Sequence, residues 1–252
     1  AKDRFSNLFV AGILGRESFG ILSWAQKGPR IPLSLMDAIM RVTFPTFSRL
    51  QDEKEYLKKS LEKSTFFIAF IVFPALVGIC LIAPDFINLI PKYSKWTPAI
   101  IPLYFYAASY AIAAVTTPIT NAFNATGRIK TTTKLMIMWT ILTWIFFPIL
   151  SIKFGYIGTS VATLIVGLSS FVVWHLAFKY FEVNILKTIV HPLIASLLML
   201  FLLLPVSQLS LVPLHSILVK VVLAVLFYAL YQFIFNRAEL LWFYQQFLQR
   251  KK

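Results

Sequence analysis

Four charged side chains occupy one segment of this sequence that is otherwise suited to cross a membrane. They are Lys27, Arg30, Asp37 and Arg41, and Ser34 lies among them. At 100° per residue in an α-helix, all five fall within an arc of about 80° on one face. Arginine binds phosphate oxygens through a two-pronged fork, and lysine binds them as a point charge. The spacing therefore predicts a cationic stripe suited to an anionic ligand, above all a phosphate.

The sequence leaves two interpretations of this stripe open. Each charge near the middle of a bilayer costs about 2.5–3.5 kcal/mol, so the stripe would face a water-filled cavity, with Asp37 as a salt-bridge or ion-coupling residue for Arg30 and Arg41. In the second interpretation Lys27 and Arg41 extend to the two membrane surfaces and Asp37 is a structural partner. A glycine and two prolines nearby could also interrupt the helix.

Long uncharged runs make up most of the remaining chain. The 252 residues are 58% hydrophobic with a mean hydropathy of +0.76, which excludes an ordinary soluble domain. An apolar run of about 18 residues or more is long enough to cross a bilayer. The sequence therefore predicts an all-α, polytopic transmembrane bundle of about seven full spans plus one truncated span. The runs without Asp, Glu, Lys or Arg are 65–84, 96–127, 135–152, 154–178 and 188–219.

The predicted helices follow from these runs. The first apolar segment, 5–14, is about half of what a crossing needs, so we expect the chain to begin inside a helix that ends near Gly15. A polar helix is expected at 52–64, because Glu55 and Lys59 stand four residues apart. The full spans are predicted at 18–49, 65–90, 96–125, 133–152, 156–180, 188–206 and 214–236.

The connecting segments alternate in charge. One set of connections contains fourteen basic residues and the opposite set contains four. Because cytoplasmic loops collect lysine and arginine, the first set and the carboxyl terminus are predicted to be cytoplasmic. The net charge of +14 is explained in this way, and no nucleic-acid partner is expected. The two sets are Arg49, Lys54, Lys58, Lys59, Lys63, Arg128, Lys130, Lys134, Lys179, Lys187, Arg237, Arg250, Lys251 and Lys252, and Arg16, Lys92, Lys95 and Lys153.

Five other polar residues could contribute to a site or mark a membrane surface. Asn121 and Asn124 suit the end of a helix, and a polar contact with a substrate is the alternative. Asp85 is expected at the outer interface, with ion coupling as the alternative, and Lys220 is expected to extend toward the outer surface. Arg4 would join the cationic stripe if the first helix began upstream, and would otherwise be solvated.

Asp3 shares the alternatives of its neighbour Arg4, as a coupling or salt-bridge residue. Elsewhere the sequence indicates no catalytic centre. The single cysteine, Cys80, cannot form an intrachain disulfide, and the three histidines are scattered without metal-ligand spacing. No loop offers a nucleophile–base pair or a glycine-rich phosphate cradle. We therefore expect neither an enzyme nor a metal site.

Four segments together resemble a known family. They are FVAGILGRESFGILSWAQ (9–26), RVTFPTFSRLQDEKEYLKKSLEK (41–63), YSKWTPAIIPL (93–103) and NAFNATGR (121–128). In this order and spacing they resemble the oligosaccharide and O-antigen (Wzx-like) flippases of the multidrug/oligosaccharidyl-lipid/polysaccharide exporter superfamily. The likeness covers roughly 5–181. The tyrosine of the family's "GxYxxA" stretch is replaced here by Ile21-Leu22.

The resemblance implies both an architecture and a function. Residues 1–181 would be the C-terminal six-helix lobe (helices 7–12, the first truncated) of a 12–14-helix flippase, with a missing N-terminal lobe as partner. Residues 182–252 would add two transmembrane helices and a basic cytoplasmic tail. The whole protein would move undecaprenyl-diphosphate-linked oligosaccharide across a bacterial or archaeal cytoplasmic membrane for surface polysaccharide such as lipopolysaccharide O-antigen.

Transport would proceed by alternating access, with the head group in a cationic cavity. No cofactor is implied, although a proton or sodium gradient could drive the cycle. The alternative function is a cation-coupled exporter of drugs or small solutes with related architecture. Such an exporter would favour acidic residues in its cavity, and Asp37 is the only acid well inside a predicted span.

Overall fold

The fold is all α-helical across the part of the chain that the structure describes. The structure is a computed structural model that describes residues 12–209 and 212–237, and these residues form helices and no strand. The predicted fold class, an all-α membrane bundle, is confirmed. The helices are α1 (Gly15–Arg49), α2 (Lys54–Leu89), α3 (Ile100–Ala125), α4 (Ile129–Leu168), α5 (Phe171–Phe181), α6 (Ile185–Leu203) and α7 (Pro213–Phe235), with 3-10 turns at Pro91–Ala99 and Pro205–Gln208.

Five helices among the described residues are long and apolar enough to cross a membrane. One of them, Ile129–Phe181, has 53 residues and would be about 80 Å long if straight, more than twice the hydrocarbon thickness. It therefore contains two crossings. The count of seven full spans predicted from the sequence also included α1, which hydropathy alone does not select. The difference arises from the charges of α1, because its 35 residues are long enough to cross.

The two crossings of α4 and α5 meet at a sharp reversal. Gly155 has a φ of +58°, outside the helical region. Ser151 Oγ and Thr159 Oγ1 lie 2.8 Å apart, although eight residues of straight helix would separate them by about 12 Å. Gly158 also packs directly on the backbone of Leu150. The chain therefore turns back on itself at Gly155, between the predicted spans 133–152 and 156–180.

Gly158→Ala is expected to disrupt this hairpin. A Cβ at Gly158 would stand 1.9 Å from the carbonyl oxygen of Leu150, so the two arms would have to separate. We expect a loss of about 1–3 kcal/mol or more, seen as a lower Tm of the purified protein. Gly78→Ala in α2 is the matched control, because nothing lies within 4 Å of its Cβ position. Equal Tm values for the two variants would contradict the hairpin packing.

One predicted boundary is wrong. The polar helix expected at 52–64 is not separate, because α2 runs without a break from Lys54 to Leu89. No glycine or proline occurs before Pro74, and Leu57 and Leu61 are buried in the same core as the apolar half of the helix. The amphipathic start and the membrane-crossing part therefore share one continuous helical face.

Helix α1 is also continuous, so the stripe geometry can be taken from a single helix. It contains Pro29 and Pro32, both buried, and neither ends the helix. Gly28 brings α1 close to α2, since a Cβ there would lie 3.2 Å from Ile79 Cγ2. Membrane helices tolerate proline where neighbouring helices support the freed backbone groups. The buried face of α1 is thus fixed against α2, and the stripe is on the other side.

Helices α6 and α7 pack along α2. Leu81 of α2 forms a buried cluster with Ala195, Met199 and Tyr228 of the two later helices. Tyr228 Oη also donates a hydrogen bond to the carbonyl oxygen of Phe70 (2.8 Å). The outer faces of both helices are exposed and aliphatic, as is usual for surfaces in contact with lipid.

The prediction that Lys220 extends toward the outer membrane surface is wrong. Lys220 is 2% exposed, and its Nζ donates to Asp85 Oδ2 at 2.6 Å and to the carbonyl oxygen of Leu81 at 3.2 Å. Ser216 Oγ donates to the same Asp85 oxygen at 2.9 Å. Asp85, expected at the interface, is instead the partner of this lysine. A charge inside a membrane bundle is far less costly when an opposite charge neutralises it.

Removing one member of this ion pair should destabilise the protein more than removing both. Lys220→Met leaves the Asp85 carboxylate without its cation and is expected to cost about 3–5 kcal/mol. The double variant Lys220→Met/Asp85→Leu should recover most of that loss in thermal unfolding measurements. A double variant as unstable as the sum of its two single variants would show that the charges do not stabilise each other.

Candidate ligand cavity

A cavity of about 880 Å³ lies between α1, α3 and both arms of the α4 hairpin. Its volume is in the upper part of the usual range for ligand sites. One wall is supplied by α1, and a second, the α3–α4 wall, is supplied by α3 and α4, with α3 packed directly against α1. The arm of α4 after Gly155 is held in place by Ser109 of α3, whose Oγ donates to the carbonyl oxygen of Thr163 at 3.2 Å. The hairpin therefore determines where this wall stands.

The charged wall belongs to α1. Lys27, Arg30 and Asp37 line the cavity together with Ser34, and all four are exposed. These three are the charged residues of the lining, so the cavity has two cations and one anion. Lysine and arginine side chains are hydrogen-bond donors only, and both suit phosphate oxygens. This wall can therefore hold an anionic group close to its two donors.

The other predicted site residues are placed differently. Arg41 is exposed on α1 but does not line the cavity, and Asn121 and Asn124 are half-buried near the end of α3, outside the lining. Among the described residues, Asp37 forms no ion pair with Arg30 or Arg41. Asp3 and Arg4 lie outside the described residues. The structure thus brings together Lys27, Arg30, Ser34 and Asp37.

The α3–α4 wall was missed by reasoning from charges. It carries the hydroxyl groups of Thr117, Thr120 and Thr163 and the aromatic rings of Tyr110 and Trp139. These residues come from uncharged runs that hydropathy identifies only as spans. The signal that could have found them is helical spacing, since Thr116 and Thr120, like Thr159 and Thr163, stand four residues apart and share a face.

The described residues contain no candidate metal site. Within residues 12–209 and 212–237, no three His, Cys, Asp or Glu side chains come together as a set that could hold an ion. Cys80 is a half-buried free thiol in α2, beside the buried clusters of α1 and α3. The groups that line the cavity are cationic, carboxylate, hydroxyl, amide, aromatic and aliphatic.

Comparison with known proteins supports the family resemblance. A family model described as "Polysaccharide biosynthesis protein" matches residues 2–101. The chain is 32% identical over 137 residues to an "Uncharacterized membrane protein in cps region" of Klebsiella pneumoniae. It is 30% identical over 165 residues to "Lipopolysaccharide biosynthesis protein WzxC" of Escherichia coli K12. The predicted resemblance to polysaccharide flippases is confirmed.

A solved structure shares the fold. The inward closed conformation of the lipid II flippase MurJ matches with a TM-score of 0.77 at 18% identity, over 92% of this chain and 50% of that chain. The two curated matches cover 53% and 64% of this chain but 27% and 33% of the relatives. The chain is thus a multi-pass membrane protein that shares the fold of MurJ and corresponds to a part of each protein it resembles.

Cysteine labelling can test whether the cavity is filled with water. Thiols react as thiolates, which form in water and not in hydrocarbon. In a Cys80→Ala background, Ser34→Cys on the cavity wall should react with a charged, membrane-impermeant maleimide. Leu226→Cys, at an exposed aliphatic position of α7, should not react. An apolar maleimide should label the first variant at least as well, and an unreactive Ser34→Cys would show that α1 faces lipid.

Proposed function

We propose that this chain forms part of a flippase that moves lipid-diphosphate-linked oligosaccharide across the cytoplasmic membrane by alternating access. The observation that carries the proposal is the pair of cations, Lys27 and Arg30, on the wall of a large cavity whose lining is otherwise nearly uncharged. The likeness to polysaccharide-synthesis membrane proteins supports the same function.

The diphosphate is the part of such a substrate that needs the cavity most. Its charge cannot enter hydrocarbon without cost, whereas the lipid tail remains stable in the bilayer. Lys27 and Arg30 are three residues apart on one helical face, so two donor groups can approach neighbouring phosphates. A cavity that neutralises the diphosphate removes the largest barrier to crossing. Undecaprenyl diphosphate is the carrier we propose.

A facing lobe would complete the transport path. Lys27, Arg30 and Ile31 are exposed, so the cationic wall is open on one side. The related flippase chain is about twice as long as the part that matches here, which supports a second lobe as partner. We propose residues 1–181 as one lobe and residues 182–252 as the additional helices and tail. The carboxyl terminus would be cytoplasmic, and the protein would transport its ligand without catalysis.

A cation-coupled exporter of drugs or small solutes is the second candidate, because Asp37 lines the same cavity. A carboxylate can bind a proton, a sodium ion or a cationic solute. The lining nevertheless has two cations against this one acid, which favours an anionic passenger. In the flippase proposal, Asp37 would limit the positive field and release the anion after transport.

Neutralising the cavity cations should abolish export. Arg30→Gln and Lys27→Gln, each introduced into the protein in its source cells, should reduce surface polysaccharide at least tenfold while membrane insertion is unchanged. The reason is the loss of donors to the diphosphate, each charged hydrogen bond contributing about 1.5–3 kcal/mol. Surface polysaccharide is measured by gel electrophoresis and protein level by immunoblot.

Arg16→Gln is the matched control for this experiment. Arg16 is an exposed arginine of the same helix that does not line the cavity, so its variant should export normally. Normal export from both cavity variants would remove the cations from the mechanism. Normal export together with faster efflux of a cationic dye, dependent on Asp37, would instead favour the second candidate.

A further inference from the structure

The two walls of the cavity differ in hydrogen-bonding character, which bears on how the head group is oriented. The α1 wall carries the charged residues of the lining, which are the donors Lys27 and Arg30 and the acceptor Asp37. The α3–α4 wall presents three half-buried hydroxyl groups, those of Thr117, Thr120 and Thr163. A hydroxyl can donate one hydrogen and accept through two lone pairs, so its role depends on where its hydrogen goes.

All three hydrogens are already used within the helices. Thr117 Oγ1 donates to the carbonyl oxygen of Ala113 at 2.8 Å, Thr120 Oγ1 to that of Thr117 at 3.0 Å, and Thr163 Oγ1 to that of Thr159 at 3.1 Å. A carbonyl oxygen cannot donate, so the direction of each bond is unambiguous. The three oxygens therefore act as acceptors toward a ligand, on a wall whose lining residues are uncharged.

Acceptors discriminate between the parts of a glycolipid head group. Phosphate oxygens are acceptors and gain nothing from these three threonine oxygens, whereas every sugar hydroxyl carries a hydrogen that can be donated to them. Two aromatic residues, Tyr110 and Trp139, line the same side. An aromatic ring offers a large apolar surface that suits the C–H face of a sugar ring.

We infer that the α3–α4 wall is the glycan subsite, which binds the sugar nearest the diphosphate through Thr117, Thr120 and Thr163. This inference rests on the proposed function and adds an orientation to it. The diphosphate lies against α1, and the sugar lies across the cavity against α3 and α4. A neutral, hydroxyl-rich sugar is the class this wall accepts at that position, because it offers no cation to an acidic sugar.

The inference is tested with two soluble probes on protein purified from its source cells into lipid nanodiscs. One probe is a short-chain polyprenyl diphosphate without sugar, and the other is the same lipid with a neutral disaccharide on its diphosphate. The variant is Thr117→Val/Thr120→Val/Thr163→Val, which retains side-chain shape and removes the acceptors. We expect about tenfold weaker binding of the disaccharide probe and less than twofold change for the sugar-free probe.

Matched controls separate the subsite from general effects. Thr133 and Thr140 of α4 are exposed, lie outside the cavity lining, and donate to their own helix in the same way. Thr133→Val/Thr140→Val should therefore bind both probes normally. Arg30→Gln should weaken both probes to a similar degree, since both carry the diphosphate.

The outcomes distinguish this inference from the proposed function. If the threonine variant binds both probes normally, or loses both equally, the glycan subsite is wrong even though Arg30→Gln still weakens both probes. If the unaltered protein binds neither probe, or if Arg30→Gln has no effect on either, the proposed function fails and the subsite fails with it.

Discussion

A charged side chain within a bilayer must have water or an opposite charge beside it, and this constraint organises the described part of the chain. Lys27 and Arg30 of α1 meet it by lining a cavity, where both remain exposed. Lys220 is almost completely buried and meets the same constraint by pairing with Asp85. The two solutions have opposite consequences. A paired charge holds helices together, whereas a charge facing water remains available to bind a ligand.

The cavity exists because α1 and α4 both pack against α3 but make few contacts with each other. Helix α1 is held against α2 on its buried face, with Gly28 allowing the close approach to Ile79. The α3–α4 wall is fixed by the hairpin at Gly155, whose returning arm is bonded to Ser109 of α3. Since α1 packs on α3 through Leu22 and Met36 and makes few contacts with α4, space remains between α1 and α4. A ligand can therefore occupy the cavity without displacing core side chains.

The differing chemistry of the two walls favours one orientation of a bound ligand. Donors on α1 suit an anion, and threonine acceptors on α3 and α4 suit hydroxyl groups. The proposed substrate has both kinds of group joined by one bond, with an apolar tail that can remain in lipid. Such a division lets one cavity hold a charged and a neutral part side by side. The fold shared with the lipid II flippase is compatible with this use.

Sequence alone determined the all-α membrane class, the spans and the cationic stripe, because apolar runs of bilayer length and charges within one of them are local properties. The family resemblance was also local, carried by short motifs in order. Tertiary structure decided which charges meet. Lys220 and Asp85 are 135 positions apart, so their pairing depends on how α7 packs against α2. Likewise, placing Arg30 in one cavity with Thr117, and Arg41 outside it, required the helices to be placed in space, because helical spacing defines a face and not what surrounds it.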